Sequence, residues 1–200
     1  MAEVKAHKQQ MGMVVHKDIL ASEADAILGK GAPIYYSLMT AISEEIRSFM
    51  KPGARVVDLY SHGGIWIEHL KNEASINCRF LSINSTEEEK ERCKNTLRMN
   101  IHLGEVEEHK MDLSSEFPDS PADLVLAILG MSRIERERAL EIFRSAWMHM
   151  SKNSAMILTD VIKNENGKIL NWPQMAMEAG FKEVRMIWHS KEIATWMMMK

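Results

Sequence analysis

The run Leu124-Val125-Leu126-Ala127-Ile128-Leu129 constrains this chain more than any other feature. It follows Pro121-Ala122-Asp123, stops at Gly130, and has no polar residue to turn toward water. Such a run suits a strand buried on both faces, which is the condition of a strand inside a parallel sheet. A sheet of that kind must be covered by helices on both sides. The sequence around the run therefore has to supply both helices and further strands.

It does so in alternation. Residues 1–32 read as a helical appendage or lid, ending at Gly29-Lys30-Gly31. Pro33 opens a stronger helix with Ile34, Leu38, Ile42, Ile46 and Phe49 at helical spacing, and Lys51-Pro52-Gly53 stops it. Arg55–Tyr60 reads as the first buried strand, Ile65–Leu70 as a helix and Cys78–Ile83 as the second strand. Thr86 and Glu89 form a capping box for a helix to about Met99. Glu107–Asp112 is a weaker third strand. A second capping box, Ser132 with Glu135, predicts a helix through Met150. Ala155–Asp160 is a strand, Pro173–Ala179 a helix closed by Gly180. Phe181–His189 and Ile193–Met199 form a terminal hairpin. The expected fold is α/β: a Rossmann-like, seven-stranded, mostly parallel sheet over residues 33–200 with an antiparallel hairpin at its end. Ligands of such sheets bind beyond the carboxyl ends of the strands, at the switch point. That places the site at Asp58–Gly64, Asn84-Ser85, Asp112-Leu113 and Ala127–Gly130.

Composition narrows the function. Of 200 residues, 46% are hydrophobic and 26% charged, enough apolar content for a real core. Twenty-five Lys and Arg against 28 Asp and Glu leave a net charge of −3, so no global basic field gathers nucleic acid. Cys78 and Cys93 are too few for a disulfide framework or a four-thiolate zinc site, and read as free thiols of a cytoplasmic protein. The histidines lack ligand-like spacing, so no metal is expected. No signal peptide and no membrane span is expected either. The 17 methionines read mainly as core fillers. The charge runs Glu87–Arg92 and Arg133–Arg138 read as solvated helix faces. Trp188, Trp196 and the Met197–Met199 tail pack the last hairpin or offer a homodimer surface there.

Several strings, in order, resemble the class I S-adenosylmethionine-dependent methyltransferases over residues 33–199. Lys51–Leu59 resembles the approach to the family's glycine-rich loop, Glu91-Arg92-Cys93 its second helix, and Met177–Val184 its late helix-to-strand turn. Pro33-Ile34-Tyr35 and Ile83–Cys93 look most like carboxy-S-adenosylmethionine synthase and its methyltransferase relatives. The resemblance implies S-adenosylmethionine as cofactor, S-adenosylhomocysteine as product, and methyl transfer to a small-molecule acceptor. It assigns cofactor contacts to Tyr35, Asp58, Tyr60, Ser61, His62, Gly63, Gly64, Asn84, Ser85, Asp112, Leu113 and Ala127. It assigns no fixed catalytic residue.

The string departs from the family in three places. Tyr60 stands at the first position of the glycine loop, so the loop must change shape, and the ring could fill part of the pocket. Asn84 replaces an acid that grips the ribose; an amide accepts through one oxygen only. Ala127 stands where the synthase relatives carry a polar residue. His62 reads as a contact to a ligand carboxylate, a base, or a solvated loop residue. Two other readings therefore stand beside methyl transfer: a catalytically degenerate binding or scaffold protein of the same fold, with Tyr60 plugging the pocket, and a carboxy-S-adenosylmethionine synthase-like enzyme. A nicotinamide dehydrogenase is disfavoured, because Gly-x-Gly-x-x-Gly does not follow the first strand.

Overall fold

The computed structural model describes residues 33–73, 77–163 and 169–200. The N-terminal appendage or lid expected over 1–32 lies outside the described residues. Helix α1 (Pro33–Ile46) is followed by β1 (Arg55–Asp58), α2 (Ile65–Glu73), β2 (Arg79–Asn84), α3 (Glu87–Thr96), α4 (Arg98–His102) and β3 (Val106–Lys110). Then come β4 (Ala122–Ile128), a single 3₁₀ turn (Met131–Arg133), α5 (Arg136–His149), β5 (Met150–Val161), α6 (Trp172–Ala179), β6 (Glu183–Ser190) and β7 (Ile193–Met199).

The strands form one sheet in the order β3-β2-β1-β4-β5-β7-β6. The pairs β1–β2, β1–β4, β2–β3 and β4–β5 are parallel, and β7 runs antiparallel to both neighbours. The apolar run of β4 is buried on both faces as its composition requires. Leu124, Leu126 and Ile128 meet Val56 of β1 and the helices α1 to α3, with Trp66 and Leu70 among the contacts. Val125 and Ala127 meet Val57 and the α5–α6 layer, with Phe143 and Trp172. The chain reverses its direction of winding between β1 and β4, so the switch point, where α/β sheets of this kind bind their ligands, lies above those two strands.

The first capping box forms. Thr86 Oγ1 accepts the Glu89 N–H at 3.1 Å, and Glu89 Oε2 accepts the Ser85 N–H at 2.9 Å. The second does not. Ser132 lies inside the 3₁₀ turn, and α5 begins only at Arg136, with Glu135 as a cap that makes no side-chain bond. The reason is tertiary: the Asp160 carboxylate takes the N–H groups of Gly130 and Ser132 and folds that stretch into its own turn. Strand β5 also starts earlier than expected, at Met150, with a register slip against β4 between Ala122 and Leu124. The terminal hairpin has Trp196 buried, while Trp188 donates through Nε1 to Ser37 Oγ at 2.9 Å and ties β6 to α1. Met39, Met156 and Met198 fill the core, whereas Met99, Met148, Met177 and Met186 are exposed. Among the described residues no helix is long and apolar enough to cross a membrane.

Gly64 decides how closely α3 approaches the loop after β1. It has φ +85, and a Cβ there would lie 2.7 Å from Leu97 Cδ1. Gly64→Ala combines backbone strain with overpacking and should cost about 1–3 kcal/mol of stability. Urea unfolding of the two proteins measures that loss.

Candidate functional site

The candidate site forms where β1, β2 and β4 end. Asp58 is the last residue of β1 and Asn84 the last of β2. Both are fully buried, as is Ser61 in the loop. Both Asp58 carboxylate oxygens, Ser61 Oγ, Asn84 Oδ1 and the Tyr60 hydroxyl lack a hydrogen-bond partner. Buried polar atoms almost always have one, so this group of acceptors is unusual for a protein interior. The Asn84 amide nitrogen, by contrast, is engaged, donating to Ser82 Oγ at 3.1 Å.

Burial pushes the Asp58 carboxyl up to about 8; the Ser61 side chain and Tyr60 N–H pull in the other direction without reaching hydrogen-bond geometry. At neutral pH the isolated group therefore holds a proton. A cation placed against it would favour the ionised form.

The loop after β1 carries the rest. His62 adopts φ +47. Its Nε2–H donates to the Ile128 carbonyl at 2.9 Å, and Nδ1 lies 3.8 Å from Glu89 Oε1. Burial lowers its pKa, which keeps the ring neutral. Trp66 Nε1–H donates to the Tyr60 carbonyl at 3.1 Å. These two bonds fasten the loop to the end of β4 on one side and to α2 on the other. Gly63 and Gly64 turn their Cα hydrogens toward α3: a Cβ on Gly63 would lie 2.8 Å from Arg92, and one on Gly64 3.3 Å from Cys93 Sγ. Both are required by helix packing. Tyr60 is 8% exposed, and its ring rests on Gly130, where a Cβ would lie 2.2 Å from the ring. The ring thus bridges from the end of β1 to the residue that follows β4 and Leu129.

The remaining expected residues are distributed around this centre. Tyr35 is in the core, stacked on Trp66 with centroids 6.0 Å apart. Ala127 is buried within β4 against the α5–α6 layer. Ser85 is exposed and belongs to the α3 cap. Asp112 is exposed; its Oδ1 accepts the Ser114 N–H at 2.9 Å, and bonding to Ser114 lowers its pKa. Leu113 is buried, and its carbonyl accepts Arg138 Nε–H at 3.0 Å. Arg138 also donates to the Glu116 carbonyl at 2.6 Å, so it shapes the loop after β3.

Sequence reasoning missed Asp160. It is buried at the end of β5, and accepts N–H groups from Gly130 (3.1 Å), Ser132 (3.0 Å) and Val161 (2.8 Å). It holds the turn against which Tyr60 packs. Its signal was available: like Asp58, it is an acid ending an apolar strand. Among the described residues no group of three or more His, Cys, Asp or Glu side chains is placed to hold a metal ion. A separate groove of about 550 Å³, lined by Lys51, Asp123, Lys152 and Asn153 among others, opens at the opposite, amino ends of β1 and β4.

The Asp58 shift has a stability consequence. Between about pH 4 and about pH 8 the folded chain holds a proton that the unfolded chain has released. Unfolding free energy therefore falls as pH rises, by up to about 1.4 kcal/mol per pH unit from this group, and levels off above about pH 8. Asp58→Asn should remove this group's share of the slope, leaving that of Asp160, which burial also raises, and be the more stable protein at the upper end, as urea melts of both proteins across this range would show.

No protein-family model matches the sequence, and no curated protein matches it significantly. Solved structures do match. A possible exported protein from Bordetella parapertussis superposes with TM-score 0.68 at 13% identity, covering 82% of this chain and 67% of that one. The S-adenosylmethionine-dependent methyltransferase SibL, in its apo form, gives 0.65 at 14%, covering 84% of this chain and 56% of its own. The [4+2]-cyclase SpnF gives 0.57 at 15%, covering 73% and 58%. The chain thus spans little more than half the length of the last two. At these identities the likeness is one of fold, and the two activities named differ. With its sheet order, parallel core and antiparallel end, this chain has the Rossmann-like fold of the methyltransferases.

Proposed function

We propose that this chain binds S-adenosylmethionine at the carboxyl ends of β1, β2 and β4 and transfers its methyl group to a small-molecule acceptor. The observation that carries this reading is the cluster of unpartnered buried acceptors on Asp58, Ser61 and Asn84, at the switch point of a methyltransferase fold. Those atoms suit a ligand end that brings N–H donors and positive charge, as the amino-acid end of S-adenosylmethionine does. Asp58, left alone, is protonated; opposite an ammonium it would ionise and form a charge-assisted bond. Ser61 and Asn84 would accept further donors. Asp112, exposed, and Leu113, buried beside it, are the residues available to a nucleoside base.

When bound, the cofactor supplies an electrophilic methyl group on a sulfonium. The chain's part is alignment and exclusion of water. His62 can hold a proton: Nε2 is committed to Ile128, and Nδ1, with Glu89 near it, is the atom that takes one up. An acceptor that loses a proton as it reacts would need such a group.

A second reading, a catalytically degenerate protein of the same fold, is favoured by one observation, the Tyr60 ring across the crevice. No observation favours the carboxy-S-adenosylmethionine synthase-like reaction.

Calorimetric titration with S-adenosylhomocysteine separates the two remaining readings. Under the cofactor reading the wild type binds, and Asp58→Asn weakens binding at least about tenfold, ~1.4 kcal/mol. Wild-type binding near neutral pH also releases a proton from Asp58, which appears as a dependence of the heat on the buffer's ionisation enthalpy. Absence of binding up to about 1 mM, ~4 kcal/mol of affinity, would leave the degenerate reading.

A further inference from the structure

A tyrosine built into a core ordinarily satisfies its hydroxyl. Tyr60 does not: it is 8% exposed and its hydroxyl has no partner. Burial also pushes the phenol pKa up, so the group stays neutral and gains nothing by ionising. The ring is held by apolar packing, in a buried cluster with Leu59, Leu113 and Met131, and is seated on the bare Cα of Gly130. Its backbone is fixed independently, by Trp66 Nε1–H on the Tyr60 carbonyl and by His62 on Ile128. The side chain can therefore leave while the loop stays. Leaving returns the hydroxyl to water and uncovers the crevice between β1 and β4.

We propose that Tyr60 is a side-chain gate over the switch-point crevice, closed on Gly130 and opened to admit the nucleotide-sulfonium ligand. The seat is built for it. Asp160 fixes the Gly130 and Ser132 amides and so sets the position of the seat. Gly130 has φ −147, outside the left-handed region that glycine favours, and a Cβ there would meet three atoms of the Tyr60 ring within 2.5 Å. This proposal rests on the reading of the crevice as a cofactor site.

The gate lowers apparent affinity by the fraction of molecules that stand open; if about one in ten does, opening it fully strengthens binding about tenfold. Three variants and one probe, S-adenosylhomocysteine, test it. Tyr60→Ala removes the gate. Gly130→Ala leaves Tyr60 intact but places a methyl where the ring sits. Both should bind the probe about tenfold more tightly than the wild type. Tyr60→Phe keeps the ring and removes the unsatisfied hydroxyl, so it should close more firmly and bind several-fold more weakly. Thermal unfolding of each variant identifies any that fails to fold, and either opening variant suffices alone. A tyrosine that instead touches the ligand would make Tyr60→Ala weaker, not tighter, and that result overturns the gate. So does wild-type affinity, within twofold, in both opening variants, and in either case the cofactor reading stands. If the wild type and all variants fail to bind at about 1 mM, the cofactor reading falls and the gate falls with it.

Discussion

The pairing of β1 with β4 is the constraint from which the rest of this structure follows. Both strands are buried along most of their length, and their polar residues stand at the ends: Arg55 and Asp123 at the amino ends, Asp58 at the carboxyl end of β1. The sheet winds outward in opposite directions from this pair. The loops after β1 and β4 consequently rise side by side with nothing between them except their own residues. What those residues are determines whether the crevice is open, closed or chemically prepared.

Two buried carboxylates show how differently the same residue can serve at that edge. Asp160 receives three backbone N–H groups and organises the turn after β4. Asp58 receives none of comparable geometry. Burial raises the pKa of both, but only Asp58 is left with its acceptor capacity unused. An unpaired buried acceptor costs on the order of 1–3 kcal/mol. Asp58 carries that cost at the carboxyl end of β1, next to the switch point of the sheet.

The loop between them reconciles two demands. Glycines at Gly63 and Gly64 let α3 pack tightly, which is a requirement of stability. Tyr60 meets Gly130 across the crevice, which bears on access. Methyltransferase and cyclase alike are found on this fold, so the fold by itself does not select a reaction.

Much of the architecture was legible without coordinates. Hydrophobic periodicity and strand–helix alternation are local properties, and they placed the parallel core, the terminal hairpin and the Thr86–Glu89 cap correctly. The first two strands were legible to within two residues at their ends: Arg55–Tyr60 and Cys78–Ile83 by pattern, Arg55–Asp58 and Arg79–Asn84 in the fold. Tertiary contacts decided the rest. The Ser132–Glu135 pair reads as a cap, yet Asp160, distant in sequence, captures the amides and moves the helix start to Arg136. The resemblance assigns Tyr35 to a ligand-facing position; that its ring is buried and stacks on Trp66 is known only from the fold. That Tyr60 would alter the loop was visible from its replacement of a glycine. That its ring would come to rest on Gly130 depended on how close β1 and β4 bring two loops separated by seventy residues of chain, a distance that only the folded sheet defines.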